Sequence, residues 1–288
     1  MSSLVKNPRS GRIVVKRLTP ASFWLRTVLA VLLILTVYGF LTIDTRGVDL
    51  GQAALDTVRY LETMFTRPRP VPEHFAAAGD SFGVTLGAAL NALGITLALA
   101  FLTTLLGGIL ALLLGLLAAR NLTSPRVSNI IKGIIAVIRA VPTVLWVLIF
   151  AIGAGLGAVA AVVGMSFHTL GYLIKAYSES FEELDEGVIE ALRAAGATWP
   201  QIVFQAVLPS SITYILSWTF IRFEINFAVA VAMGAAAGAG GIGFNLFMSA
   251  GYFFDIREIG FITYLILFVA LAMEVFATRL KKRYHLHE

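Results

Sequence analysis

Residues 96–119 run without a single charged side chain, and similar apolar blocks recur along the chain at lengths a bilayer sets. A helix needs about 20 apolar residues to cross the hydrocarbon layer. Within lipid every backbone N–H and C=O must be paired inside the segment itself, so blocks of this kind fold as helices. With 58% hydrophobic and 14% charged residues and a mean hydropathy of +0.84, the chain cannot clothe a water-soluble surface. It contains no cysteine, which leaves no disulfide framework, metal thiolate or thiol nucleophile to consider.

The apolar blocks place six spans, at 27–43, 96–119, 133–152, 159–176, 212–233 and 259–278, with Gly153, Gly155 and Gly157 turning the third into the fourth. The expected fold class is all-α, a polytopic membrane helix bundle. Lys6, Arg9, Arg12, Lys16 and Arg17 make 1–26 a basic segment. The run that follows is long enough to span and lacks a small-residue cleavage pattern, so it reads as a retained first helix. That segment, the 120–132 connection and the tail 279–288 with Arg279, Lys281, Lys282 and Arg283 are all basic, which puts both termini in the cytoplasm.

This orientation leaves 44–95 outside as an insert. Ala54, Leu55, Val58, Leu61 and Phe65 recur in it at helical spacing, the pattern of an amphipathic helix at a membrane surface. Pro68, Pro70 and Pro72 then enforce an extended spacer. A second interruption, 181–209, falls in the cytoplasm. Gly196 suits the left-handed position just past a helix end, and Thr198-Trp199-Pro200-Gln201 reads as a capping box with proline in a first turn. Two short helices are expected to meet at Gly196, the second ending at Pro209. The acids Glu179, Glu182, Glu183, Asp185 and Glu186 form an approach better suited to docking a protein than to lying on anionic lipid.

Inside the spans, Arg222 and Glu224 carry the largest insertion cost, about 2.5–3.5 kcal/mol for a charge at mid-membrane. Two residues apart on a helix, they point to nearly opposite sides and cannot satisfy each other. Arg222 shares a face with Trp218, Thr219 and Asn226, a polar stripe suited to lining a water-filled route, with an interhelical structural pair as the alternative; Glu224 lies with Ser217 and Phe220 and reads as structural, with the pathway as its alternative. His168 can hydrogen-bond an oxyanion or a neighbouring helix. Lys175 and Glu274 lie near span ends and can snorkel. Asn121-Leu122-Thr123 has the form of a glycosylation sequon but falls on the cytoplasmic side. Residues 238–243, Gly-Ala-Gly-Gly-Ile-Gly, match the spacing of a dinucleotide loop without the strand and helix that motif needs. Within an outer loop at 234–258, Gly240, Gly241 and Gly243 either let helices approach closely or free backbone N–H groups to meet an anion.

Glu190, Ala191, Gly196, Leu208 and Pro209 are spaced as in the coupling loop of ABC importer permeases, and the chain resembles that family; Leu192 and Ala206 depart from its pattern. Arg139-Ala140-Val141-Pro142, Phe167-His168-Thr169, Arg222-Phe223-Glu224-Ile225-Asn226 and the 238–243 glycines are similar to landmarks of the phosphonate-type subfamily, a likeness reaching from about Thr96 to the C-terminus. The resemblance implies a type I importer permease in a bacterial plasma membrane, carrying phosphonate or a related phosphorus oxyanion, with Arg222, Asn226, Glu224, His168 and the glycines along the pathway. It implies as partners two ATP-binding cassette subunits, a second permease (copy or paralogue), an external solute-binding protein and membrane lipid, but no nucleic acid. It implies no catalytic residue, metal or cofactor in this chain, ATP and magnesium being held by the partner ATPase. Another small solute such as an amino acid is the nearest alternative. A secondary transporter coupled through Arg222 and Glu224 is a further one, and inverted repeats that would favour it are not visible between the halves.

Overall fold

A computed structural model describes residues 4–6, 13–15, 20–44, 47–71 and 82–283. Arg9, Arg12, Lys16, Arg17, Pro72 and the tail beyond Arg283 lie outside the described residues. The chain divides into two units, 1–59 and 60–288.

The first unit holds a short antiparallel pair, β1 (Leu4–Lys6) with β2 (Ile13–Val15), and the helix α1 (Pro20–Thr42). No side chain of α1 is buried. Thr27, Thr36 and Thr42 return their hydroxyls to the carbonyls of Phe23, Leu32 and Tyr38, so these three donors are paired within the helix. The first part of α2 (Leu50–Thr66) belongs here too, opened by Asp49 Oδ1 accepting from the N–H groups of Gly51 and Gln52.

The second unit is the bundle. The spans expected at 96–119, 159–176, 212–233 and 259–278 are the helices α3 (Phe82–Ala118), α6 (Ala158–Glu182), α9 (Leu208–Ala236) and α11 (Ile256–Arg283). Among the described residues five helices, counting α1, are long and apolar enough to cross a membrane. The bent pair α4 (Pro125–Ala140) and α5 (Thr143–Ala154) makes a sixth span when its halves are taken together.

Several expectations are corrected. The 44–95 insert ends early, because α3 begins at Phe82. Gly87, Asn91, Gly94 and Thr96 dilute the apolar signal there, yet Ala89 and Leu93 are buried in the main core with Leu99, Met165 and Phe227. The span at 133–152 is not one helix: α4 and α5 meet at 89°. Pro142 lacks an N–H and drives Val141 out of the helical region, to φ −86 and ψ 124. Pro209 does not end a helix. It sits in the first turn of α9, and helix runs continuously from Trp199 to Ala236 through α8 (Trp199–Ile202) and a π-helical turn, Val203–Val207. The wider turn absorbs the missing proline donor, the N–H of Leu208 reaching back to Val203 O. The stretch 234–258, expected as an outer loop, is mostly helical as well, with α10 (Gly241–Met248), a π turn at Ser249–Phe253 and the start of α11.

Where α10 folds back, Gly243 packs against α9 so closely that an added Cβ would fall 1.8 Å from Val231 O. That contact sets the separation of α9 and α10. Tyr177, Phe181, Leu173, Ile189, Ile202 and Val207 form a second core, reached by the 181–209 element.

Candidate functional site

The element between α6 and α9 is built from caps. Asp185 opens α7 (Glu186–Ala194) by accepting from Gly187 N at 2.8 Å. The helix closes in a Schellman arrangement, with Gly196 N to Arg193 O at 3.0 Å and Ala197 N to Leu192 O at 2.9 Å. Gly196 takes φ +84, which side chains with a Cβ resist. Thr198 then opens α8, its N–H and hydroxyl both donating to Gln201 Oε1 at 2.7 and 2.8 Å. Ile189 and Ile202 turn inward to the second core, while Glu190, Ala191, Gly196 and Pro209 are exposed and Leu208 is half-buried. The residues matching the family's loop thus present an outer face that something can grip.

Two side chains that the sequence did not single out anchor this element. Arg193 Nη2 donates to Asn121 O at 2.8 Å, and Trp199 Nε1 donates to Leu122 O at 3.0 Å, both carbonyls of the α3–α4 turn. Asn121, in the discounted sequon, donates to Phe181 O at 2.7 Å. The acidic approach is less free for docking than expected. Glu182 Oε1 accepts from Arg120 N at 2.8 Å and from Lys132 Nζ at 2.7 Å, Asp185 is a cap, and Glu179 pairs with Lys175 at 3.6 Å.

Deep in the bundle, Arg222 and Asn226 on α9 meet α6 and α3. Arg222 is 2% exposed and Asn226 is fully buried. Arg222 Nε donates to Thr169 Oγ1 at 3.1 Å, Thr169 Oγ1 donates to Asn226 Oδ1 at 3.0 Å, and Asn226 Nδ2 donates to Thr104 Oγ1 at 2.8 Å. Thr104 passes its own proton to Ala100 O at 2.7 Å. Arg222 Nη2 stands 3.0 Å from His168 Nδ1. A guanidinium can only donate, so His168 Nδ1 accepts. The remaining contact is a face: the guanidinium carbon lies 5.3 Å from the centre of the Tyr172 ring. Hydroxyl, imidazole and ring are all without net negative charge, and among the described residues no carboxylate pairs with Arg222.

Trp218 and Thr219, placed with Arg222 by spacing, continue this face: Tyr177 OH meets Thr219 Oγ1 at 2.7 Å and Tyr172 packs edge-on to Trp218. Glu224 stands apart, lining a cleft of about 260 Å³ between α9 and α11 with Phe227, Ile266, Met273 and Glu274. The glycines lie in the turn before α10. Gly240 and Gly241 take φ +76 and +77, and the N–H of Ile242 just beyond donates to Thr96 Oγ1 on α3 at 3.0 Å. The close-approach reading fits Gly243, against Val231.

The sequence profile of the binding-protein-dependent transport system inner membrane component family matches residues 111–285. The phosphite transport system permease protein PtxC of Stutzerimonas stutzeri is 33% identical over 66% of this chain and 68% of its own length. The phosphate-import permease protein PhnE of Mycolicibacterium smegmatis is 34% identical over 63% of this chain but only 33% of its own. Among solved structures, an inward-facing MetNI methionine ABC transporter superposes with a TM-score of 0.62 at 21% identity, covering 73% of this chain and all of that one (100%), which supports the importer-permease fold. The chain belongs to the binding-protein-dependent transport system inner membrane components, the multi-pass permeases of that family.

Proposed function

We propose that this chain is the permease subunit of an ATP-driven importer for a phosphorus oxyanion such as phosphite, phosphonate or a phosphate ester. As assembled, two such subunits line one path, two ATPase subunits grip α7 and its turn, and an external binding protein delivers the anion. The observation that carries the substrate class is Arg222, a buried cation whose neighbours in this chain are a hydroxyl, an imidazole and an aromatic face. A buried charge held only by neutral groups keeps a large desolvation cost, which a passing dianion would offset. The relatives named for phosphite transport and phosphate import agree with that chemistry.

In this reading closure of the ATPase pair moves α7. Arg193 and Trp199 hand that movement to the α3–α4 turn, and continuous helix from Trp199 to Ala236 carries it to Arg222. Chemistry in this chain is conformational, and hydrolysis belongs to the partner.

The test is uptake of radiolabelled phosphite and phosphate by proteoliposomes holding the permease and its ATPase, with the binding protein supplied outside. Arg222→Ala is expected to lower uptake at least about tenfold, the loss of one charge-assisted contact, while the complex still co-purifies and hydrolyses ATP. Uptake unchanged by the substitution removes Arg222 from the pathway. Uptake that persists without the ATPase subunit rejects the importer reading itself.

A further inference from the structure

A second group of cations lies away from Arg222. A cleft of about 380 Å³ between α4 and α6 is lined by Arg120, Lys132, Arg139, Lys175, Glu179 and Glu182. Lys132 and Lys175 occupy the two acids, at 2.7 and 3.6 Å. Among the described residues no carboxylate lies within ion-pair distance of Arg120 or Arg139. Four cations facing two carboxylates leave an excess of two positive charges.

The Arg120 backbone and the Arg139 stem are both fixed beside the cleft by α6. The backbone N–H of Arg120 is fixed by Glu182 Oε1. The Arg139 stem lies on Gly171, where an added Cβ would come within 2.9 Å of Arg139 Cγ, so a residue without a side chain makes room for it. Arg120 and Glu182 mark the cytoplasmic ends of α3 and α6, and Gly171 is three turns further in. The α6 residues that line the cleft run from Glu182 to Lys175, about 10 Å at about 1.5 Å per residue, and stop two turns short of His168.

We propose that this cleft binds a phosphate-class dianion from the cytoplasmic side. Its excess of two charges equals that of the ligand, and two guanidinium forks suit the oxygens of a tetrahedral oxyanion. A free oxyanion and the headgroup of an anionic lipid share this chemistry, and basic pockets between membrane helices on the cytoplasmic face take lipid headgroups. With a free oxyanion the cleft is a station for released cargo, and that form rests on the reading given under Proposed function; with a lipid headgroup it does not.

The experiment reads binding alone, without ATP or transport, so its failure is separate from a failure of the Arg222 reading. The full complex is placed in phosphatidylcholine nanodiscs and titrated with inorganic phosphate by calorimetry, and native mass spectrometry reads the lipids retained after extraction from membranes. Arg120→Gln with Arg139→Gln is expected to weaken phosphate binding at least about tenfold. That result assigns a free anion. Phosphatidylglycerol or cardiolipin kept by the wild type and lost by the variant, with no phosphate binding, assigns a headgroup. A wild type that binds neither, or a variant that binds phosphate and retains lipid as the wild type does, overturns the site. Should the double variant fail to assemble, Lys175→Gln, a change on a half-exposed side chain, is read by the same measurements and the same outcomes.

Discussion

The hydrogen bonds around Arg222 run in one direction, from Arg222 through Thr169, Asn226 and Thr104 to Ala100 O. Each hydroxyl or amide accepts from one neighbour and donates to the next, so the polar groups are satisfied while the charge is not. Other residues are fixed by sterics. Gly243→Ala would drive a methyl into Val231 O, and forcing helices apart in this way costs about 1–3 kcal/mol. Gly133→Ala, in open space on α4, should instead stabilise by up to about 1 kcal/mol through helix propensity. Chemical denaturation of the detergent-solubilised complex compares the two, and equal effects would contradict the close packing of α10 on α9. Arg222 and Asn226 could be named from the sequence because polar atoms in a span stand out. Which residues they pair with could not, although His168 was already a candidate. His168 and Thr169 lie on another helix, and nothing in periodicity says which face of α6 meets α9.

At the level of elements, cap chemistry was the most legible signal. Gly196, Thr198 and Gln201 behave as their types dictate, whereas Asp185, read as part of an acidic docking approach, is a cap. The anchoring of that element was hidden, since Arg193 and Trp199 read as ordinary members of an exposed helix-turn-helix until the α3–α4 turn is seen beside them. Arg193→Met with Trp199→Phe removes both donors while keeping bulk. ATP hydrolysis by the assembled complex is expected to continue while uptake per ATP falls several-fold, about 1 kcal/mol for each lost bond. An unchanged ratio of uptake to hydrolysis would show that movement enters the bundle elsewhere. The bend at Pro142 was visible as a proline, but its 89° turn was not, because a proline after an extended residue can kink or end a helix equally well. The glycines before α10 misled in the opposite sense, reading as loop where they open a helix.

For the whole molecule, apolar block length made the spans legible, and it failed where packing replaced lipid as the neighbour, as at the start of α3. The half-spans matter for assembly. Helix α5 has 12 residues, about 18 Å of helix against the ~30 Å of a bilayer core. A wall of that height leaves the path incomplete within one chain. Native mass spectrometry of the complex purified through this subunit is expected to give two permease chains with two ATPase chains, and a single permease would contradict the proposed assembly. Glu182 adds a mechanical constraint. One carboxylate oxygen holds both the Arg120 amide and the Lys132 ammonium, so the Arg120 end of α3, the Glu182 end of α6 and the middle of α4 share a single pivot. They must swing as a tripod, and spreading one leg away from the others means breaking that joint first.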